Sequence, residues 1–352
     1  MKRFGHLFPQ IIAFENLLTA SRKARRGKRL RRSTALFELN LEQNLFRIIR
    51  RLEFKTYTPG EYTDFMIHDP KTRRISAAPY RDRVIHHALI NVIEPLIGKS
   101  FIYDSYACIK GRGTHKAVAR YRKFLPKNRF VLKCDIRQYF FSIDHAILRE
   151  QVRHKIKCPD TLWLVEQIIA SKQWPARAPL DYFGGDGLFT PVTRKKGIPI
   201  GNLTSQFFAN LYLNDFDHFI KQTLGCRHYI RYCDDFVVFG NDKDELKNTK
   251  QSISEYLATL RLRLHPEKSR VFRTSEGVDF LGYRIYPEFM RVRKSNVKRF
   301  RKRLRIMARL YKDGSIGLRD IQRSIHSWLG HVKHADSYGL RQEILSSAVF
   351  QR

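Results

Sequence analysis

Two apolar runs that end on acid constrain this chain more than any other feature of it. Val131-Leu132-Lys133-Cys134-Asp135-Ile136 predicts a strand over residues 129–136 with a carboxylate at its end. Tyr232-Cys233-Asp234-Asp235-Phe236 lies between the two apolar halves of residues 228–240 and predicts a hairpin with paired acids at its tip. Each alone has an ordinary reading, since Asp caps helices and tolerates turn geometry. Their combination does not, because the 352 residues carry 67 Lys plus Arg against 33 Asp plus Glu, a net charge of +34. Such an excess makes a polyanion the default partner. A groove for a polyanion keeps adjacent carboxylates for a reason, and divalent metal supplies one. Asp135 and Asp234 are expected to hold two Mg²⁺ ions, with Mn²⁺ as the alternative, about 4 Å apart, serving the attacking and leaving oxygens of a phosphoryl transfer.

The rest of the composition bounds the fold. At about 150 residues per domain the length corresponds to roughly two domains. A composition 43% hydrophobic and 28% charged excludes wholesale disorder. No apolar run reaches the roughly 18 residues of a spanning helix, and no signal peptide is read at the N-terminus. Cys108, Cys134, Cys158, Cys226 and Cys233 form no CxxC pair, which speaks against a zinc ribbon or disulfide scaffold and for a reducing cytoplasm. His326, His331 and His334 gather near the C-terminus without a cysteine beside them, so helix-surface or nucleic-acid contacts are expected ahead of a metal site.

Periodicity predicts an α+β chain. Helices are expected over 10–24, 41–53, 80–97, 144–157, 160–171, 202–222 and 243–262, with short strands near 270–273 and 279–286. Residues 62–68 lead through Asp69-Pro70-Lys71 to a second strand near Arg74-Ile75-Ser76, a basic hairpin. Residues 172–196 are too rich in Pro, Gly and aromatics to assign. Residues 22–32 hold eight Lys or Arg in eleven positions and are expected as a phosphate-binding arm, with a solvated tail as the alternative. Residues 291–310 contain ten Lys or Arg and no acid, while Val297, Phe300, Leu304, Met307 and Leu310 keep helical spacing. That is a helix with one apolar face and a basic remainder, with a membrane-surface helix as the alternative.

A third segment, Gly197-Ile198-Pro199-Ile200-Gly201-Asn202-Leu203-Thr204-Ser205-Gln206, is a glycine-bearing loop that opens a helix, suited to a phosphate or a flat base pair. The blocks now stand in the order Arg74 to Arg83, Asp135 to Phe140, Gly201 to Gln206, Tyr232 to Asp235, Lys268, and Phe280-Leu281-Gly282-Tyr283. So ordered, the chain resembles a reverse transcriptase over roughly residues 65–350. The resemblance implies a right-hand polymerase: a basic helical extension at 1–64, fingers and palm of antiparallel sheet and helices at 65–286, and a basic helical thumb at 287–352. It implies Asp135 and Asp234 as metal ligands, with Asp235 as the supporting carboxylate. It places Arg74, Ile136, Phe140, Ile200, Gly201, Gln206 and Lys268 around the incoming nucleotide. Phe140 would exclude a ribose 2′-hydroxyl by clash, Arg74 would contact the triphosphate, and Lys268 would act as general acid near the pyrophosphate. Tyr232 and Cys233 would abut the primer end, and Phe280, Leu281, Gly282 and Tyr283 would grip the primer. Lys298, Arg301, Lys302 and Arg305 would hold the duplex backbone without reading sequence.

Most bacterial members of that family have Gln-Gly-x-x-x-Ser-Pro where this chain has Ile200-Gly201-Asn202-Leu203-Thr204-Ser205-Gln206. The departure, with Ser327-Trp328-Leu329-Gly330-His331, resembles the reverse transcriptases of diversity-generating retroelements. No protease, ribonuclease H, integrase or His-Asn-His nuclease pattern is read, and the Val-Thr-Gly of retron enzymes is absent. Ile200 offers no side-chain hydrogen bond, and losing one polar constraint is worth on the order of 1 kcal/mol, so low fidelity is expected. The resemblance implies errors opposite template adenine. It also implies a structured template RNA, its cDNA, dNTPs and a small, basic, ring-forming accessory variability protein as partners, in the cytoplasm of a bacterial or phage-infected cell. The rival within the class is a phage-defence enzyme making antiviral cDNA. From another class, a catalytically idle RNA-binding protein is opposed by the intact Asp135, Asp234 and Asp235.

Overall fold

Apolar side chains at helical spacing form the N-terminal helices α1 (Phe8–Ile12), α2 (Phe14–Ala24), α3 (Arg32–Leu39) and α4 (Leu41–Glu53). The computed structural model describes residues 3–68, 72–171 and 181–351. The Asp69-Pro70-Lys71 turn and residues 172–180 of the unassigned stretch lie outside the described residues. Ala13, at ψ 135°, divides the helix expected over 10–24. The basic run is folded rather than a free arm. It bridges α2 and α3, and Arg25 pairs with Glu38 at 2.7 Å. The chain is held there because Leu17, Ala20, Leu45, Ile48 and Leu52 share one core with Val84, Ile85 and Leu89 of α5 (Tyr80–Ile97). The residues read as an extension thus pack against the helix that follows the first hairpin. That hairpin pairs β1 (Thr63–Ile67) with β2 (Arg73–Ala77), Phe65 opposite Ile75.

After α6 (Thr114–Phe124) comes β3 (Phe130–Asp135), then the helices α7 (Tyr139–Ser142), α8 (His145–Lys155), α9 (Pro159–Ala170), α10 (Thr190–Thr193), α11 (Leu203–Tyr212) and α12 (Asn214–His218). Asp144 starts α8 by accepting from the backbone N–H groups of Ala146 and Ile147. The hairpin β4 (Tyr229–Tyr232) and β5 (Asp235–Gly240), the helix α13 (Lys243–Thr259) and the strand β6 (Arg270–Arg273) follow. The central sheet is antiparallel in the order β4-β5-β3-β6. Both of its faces are covered. Leu132, Cys134, Phe236 and Val238 enter the large core, while Val131, Ile230, Val237 and Phe239 pack with Val118 and Tyr121 of α6.

The single strand expected over 279–286 is two, β7 (Val278–Phe280) and β8 (Tyr283–Ile285), which β9 (Met290–Val292) joins in a second antiparallel sheet. Leu281 at φ 47° and Gly282 at φ 94° reverse the chain between them, the two left-handed positions of a tight hairpin. Because β9 completes this ladder, the basic helix expected from 291 begins at Lys294. This helix, α14 (Lys294–Lys312), packs with α15 (Leu318–Val332) and α16 (Tyr338–Ser346) through Phe300, Leu304, Trp328, Val332 and Ile344. Among the described residues no helix is long and apolar enough to cross a membrane.

Candidate active site

Strand side chains alternate between faces, so 131, 133 and 135 of β3 lie on one face, as do 235, 237 and 239 of β5. Register sets Val131 opposite Phe239, Lys133 opposite Val237 and Asp135 opposite Asp235. The apolar members fill the core against α6, and the polar end of the same face is left with Asp135, Asp235 and Lys133. Asp234 comes from the two-residue turn between β4 and β5, where Cys233 sits at φ 60°. A left-handed cysteine stores strain of order 1 kcal/mol. The Ile136 N–H donates to the Asp234 carbonyl at 3.2 Å, and the His265 N–H to the Asp135 carbonyl at 2.7 Å. These bonds fix both acid-bearing segments. Lys268 Nζ stands 3.0 Å from Asp135 Oδ1.

The acids resist ionising together. Burial, the Asp234 charge and a hydrogen bond to Asp135 push Asp235 up to about 6, against the pull of Lys133. Burial and Asp135 raise Asp234, and Arg73 acts in the opposite direction. Among the described residues no three His, Cys, Asp or Glu side chains are grouped to hold an ion by themselves. Mg²⁺ is usually bound by one or two carboxylates, with water and substrate phosphate completing its shell. The oxygen donors of Asp135 and Asp234, crowded beside Asp235, fit a hard divalent ion of that kind.

Around the acids, the half-buried Phe140 gives its carbonyl to the Ile198 N–H at 2.8 Å, joining α7 to the glycine-bearing loop. The Ile200 carbonyl accepts from Ser76 N–H at 3.0 Å, and Asn202 Nδ2 donates to the Ser76 carbonyl at 3.4 Å, so residues 200–202 dock on β2. Gly201 is required there: it has φ +110°, and a Cβ would lie 2.8 Å from Ile75 Cγ2. Gln206 is half-buried on α11. Arg74 does not present a free charge to a triphosphate. Its Nη2 lies 2.5 Å from Asp64 Oδ2 across the hairpin. The neighbouring Arg73 shares the Ile75 side of β2 and is the arginine whose charge acts on Asp234. One position along a strand changes the face.

Tyr232 Oη accepts from Thr114 Oγ1 at 3.1 Å, which ties the acid-bearing turn to the start of α6. Burial pushes the Cys233 thiol up. Phe280 and Tyr283 are core residues, 1% and 0% exposed. Phe280 stacks on Tyr121, and only the Leu281–Gly282 turn between them reaches the surface. Lys298, Arg301, Lys302 and Arg305 line one groove of α14 with Ile306 and Arg309, although Arg301 also meets Glu343 at 2.6 Å.

The sequence reading missed the residue beneath the turn. Arg231 is fully buried, donates through Nε and Nη2 to Asp217 at 2.7 Å each, and through Nη1 to Asn210 and to the Cys233 carbonyl at 3.1 Å. An arginine in an apolar strand, with its acid fourteen residues away, carries no local signal. Lys133, whose Nζ reaches the Asp279 carbonyl at 2.8 Å, was equally silent.

The family described as Reverse transcriptase (RNA-dependent DNA polymerase) matches residues 67–285. Protein YkfC of Escherichia coli (strain K12) is 24% identical over 253 residues, 61% of this chain and 63% of that protein. The Group II intron-encoded protein LtrA of Lactococcus lactis subsp. cremoris is 22% identical over 323 residues, 72% of this chain and 51% of that protein. The Putative COX1/OXI3 intron 2 protein of Saccharomyces cerevisiae (strain ATCC 204508 / S288c) is 18% identical over 305 residues, 70% of this chain and 33% of that protein. The chain therefore spans less than two thirds of the length of each of these relatives.

Proposed function

This chain belongs to the reverse transcriptase (RNA-dependent DNA polymerase) family and has its α+β polymerase fold, and on that footing we propose that it copies RNA into DNA. The observation that carries the reading is the convergence of Asp135, Asp234 and Asp235 at one end of the central sheet, with Lys268 3.0 Å from Asp135. Divalent ions, Mg²⁺ or Mn²⁺, held by Asp135 and Asp234 would activate the 3′-hydroxyl and neutralise the departing pyrophosphate. The chain's own groups do the rest. Lys268 donates a proton to the leaving group, Phe140 blocks a 2′-hydroxyl, Arg73 rather than Arg74 meets the triphosphate, and the α14 cations hold the duplex. In this reading residues 65–286 are fingers and palm, 287–352 are thumb, and 1–64 extend the fingers. The test is primer extension on an RNA template with dNTPs and Mg²⁺. Wild-type protein should make cDNA and Asp234→Asn should make none; equal synthesis by both would overturn the assignment.

The finer proposal is mutagenic copying of a structured template-repeat RNA for gene diversification, with a small basic accessory protein as partner. Ile200 supports it: its backbone is fixed on β2 and its side chain brings no hydrogen bond to the nucleotide site. Sequencing of the cDNA should show errors concentrated opposite adenine, reduced by Ile200→Gln. Faithful or untemplated cDNA would instead support the phage-defence reading.

A further inference from the structure

Two of the C-terminal histidines meet a third from a distant part of the chain. His334 stacks on His115, the second residue of α6, with ring centroids 3.7 Å apart and planes at 21°. His331 lies 6.3 Å from His115 and stacks on Tyr283 at 4.5 Å. His326 remains exposed on α15.

The inner ring is committed. Tyr283 Oη donates to the His331 carbonyl at 2.7 Å and so accepts from its Nδ1–H at 3.1 Å. That leaves His331 Nε2 as an unprotonated nitrogen, buried beside Gly282 with no hydrogen-bond partner. The outer pair is exposed. His115 and His334 are both open to solvent, as are Lys116 and Lys333 next to them. The helix α6 begins with neither a side-chain cap nor an acid in its first turn, a start that favours an anion. The residue before His115, Thr114, touches Tyr232 at the edge of the acid-bearing turn.

We propose that the His115–His334 stack is a phosphodiester contact for the nucleic-acid strand that ends at the Cys233–Asp234 turn, and that it binds that strand together with a proton. The inference rests on the polymerase reading and adds a contact to it. The groups facing the pair are Lys116 on α6, Lys333 and His331 at the end of α15, and the Tyr283 hydroxyl of β8, 3.5 Å from His115 Nδ1. All are neutral or positive. Desolvation first, then His334 and Lys333, hold His115 below its ordinary value, and desolvation with the same imidazoles does so for His331. Without nucleic acid, burial and these neighbours therefore disfavour a proton on His115 and His331. A phosphate reverses the balance, because a nearby negative charge favours the imidazolium. Two rings 3.7 Å apart repel when both are charged, so the stack takes up one proton. The rings come from α6 and from the segment after α15, so the bound phosphate bridges the central sheet and the C-terminal helices.

The test uses the full chain and an RNA–DNA hybrid with a recessed 3′ end. Calorimetry near pH 7 in buffers of different ionisation enthalpy counts the protons taken up on binding, and fluorescence anisotropy follows affinity from about pH 6 to pH 8. Wild-type protein should take up about one proton, with affinity rising by up to tenfold for each pH unit of acidification. The double variant His115→Gln, His334→Gln should still bind the hybrid but take up no proton and lose the pH slope. His331→Gln, which alters only the inner ring, should keep both. Proton uptake unchanged in the double variant, or absent from wild type, overturns the inference. Extension of the recessed end is scored on the same samples. A hybrid bound with proton uptake but never extended fails the polymerase reading alone.

Discussion

Replacing Asp235 by Asn should make the metal-free protein more stable near neutral pH. In the fold, Asp235 is pushed from 3.8 up to about 6 by burial, by Asp234 and by its hydrogen bond to Asp135. A carboxyl raised above its unfolded value adds stability that is complete below the unfolded value and is lost as pH rises through the folded one. Ionising Asp235 therefore costs about 3 kcal/mol at its limit, with Lys133 already counted against it. Asn removes the charge, and its amide can donate to Asp135 as the protonated acid does. Urea unfolding in EDTA should find Asp235→Asn more stable by roughly 2–3 kcal/mol near pH 7.5. The gap should shrink as pH falls below about 6 and close below the unfolded value of 3.8, where both proteins are uncharged at this position in the folded and unfolded chain. Mg²⁺ should narrow it near pH 7.5 by stabilising the wild type through mass action. A variant less stable than wild type near pH 7.5, or a gap that ignores pH, would refute the claim that mutual repulsion is built into this site.

The other predictions use different contacts. Asp217→Ala leaves the buried Arg231 guanidinium without its acid and should lower unfolding stability by about 3–5 kcal/mol; a loss under about 1 kcal/mol in urea titration would show that Arg231 finds another partner. Gly201→Ala must place a Cβ 2.8 Å from Ile75 at φ +110°, so a loss of about 1–3 kcal/mol is expected in the same titration, and none would mean that the loop is not fixed on β2. Removing Lys298, Lys302 and Arg305 together should reduce the salt slope of duplex binding by about three, near one per phosphate contact. An unchanged slope would take the duplex off this face of α14.

The elements were largely legible because their signals are local. Acids at the ends of the runs around 131–136 and 232–236 were visible because strand period follows from adjacent residues, and the register of β3 on β5 then makes them neighbours. The apolar spacing of Val297, Phe300, Leu304 and Met307 likewise marked α14. The Leu281–Gly282 reversal was missed because Leu281 adopts a left-handed conformation that leucine does not advertise. The helix start at 291 was misplaced because a ladder partner, not propensity, claims Met290–Val292.

The sequence by itself determined where three carboxylates end up around one strand end and one hairpin turn, and which helix is basic. Only the tertiary structure decided that Arg74 pairs with Asp64 across the first hairpin, that Phe280 and Tyr283 are core rather than surface, and that Arg231 holds the turn from beneath. It also brought His115 against His334. Periodicity is set by residues within a turn or two of each other. Burial and ion pairing are set by which distant segments a closed core forces together, and no stretch of sequence holds both partners.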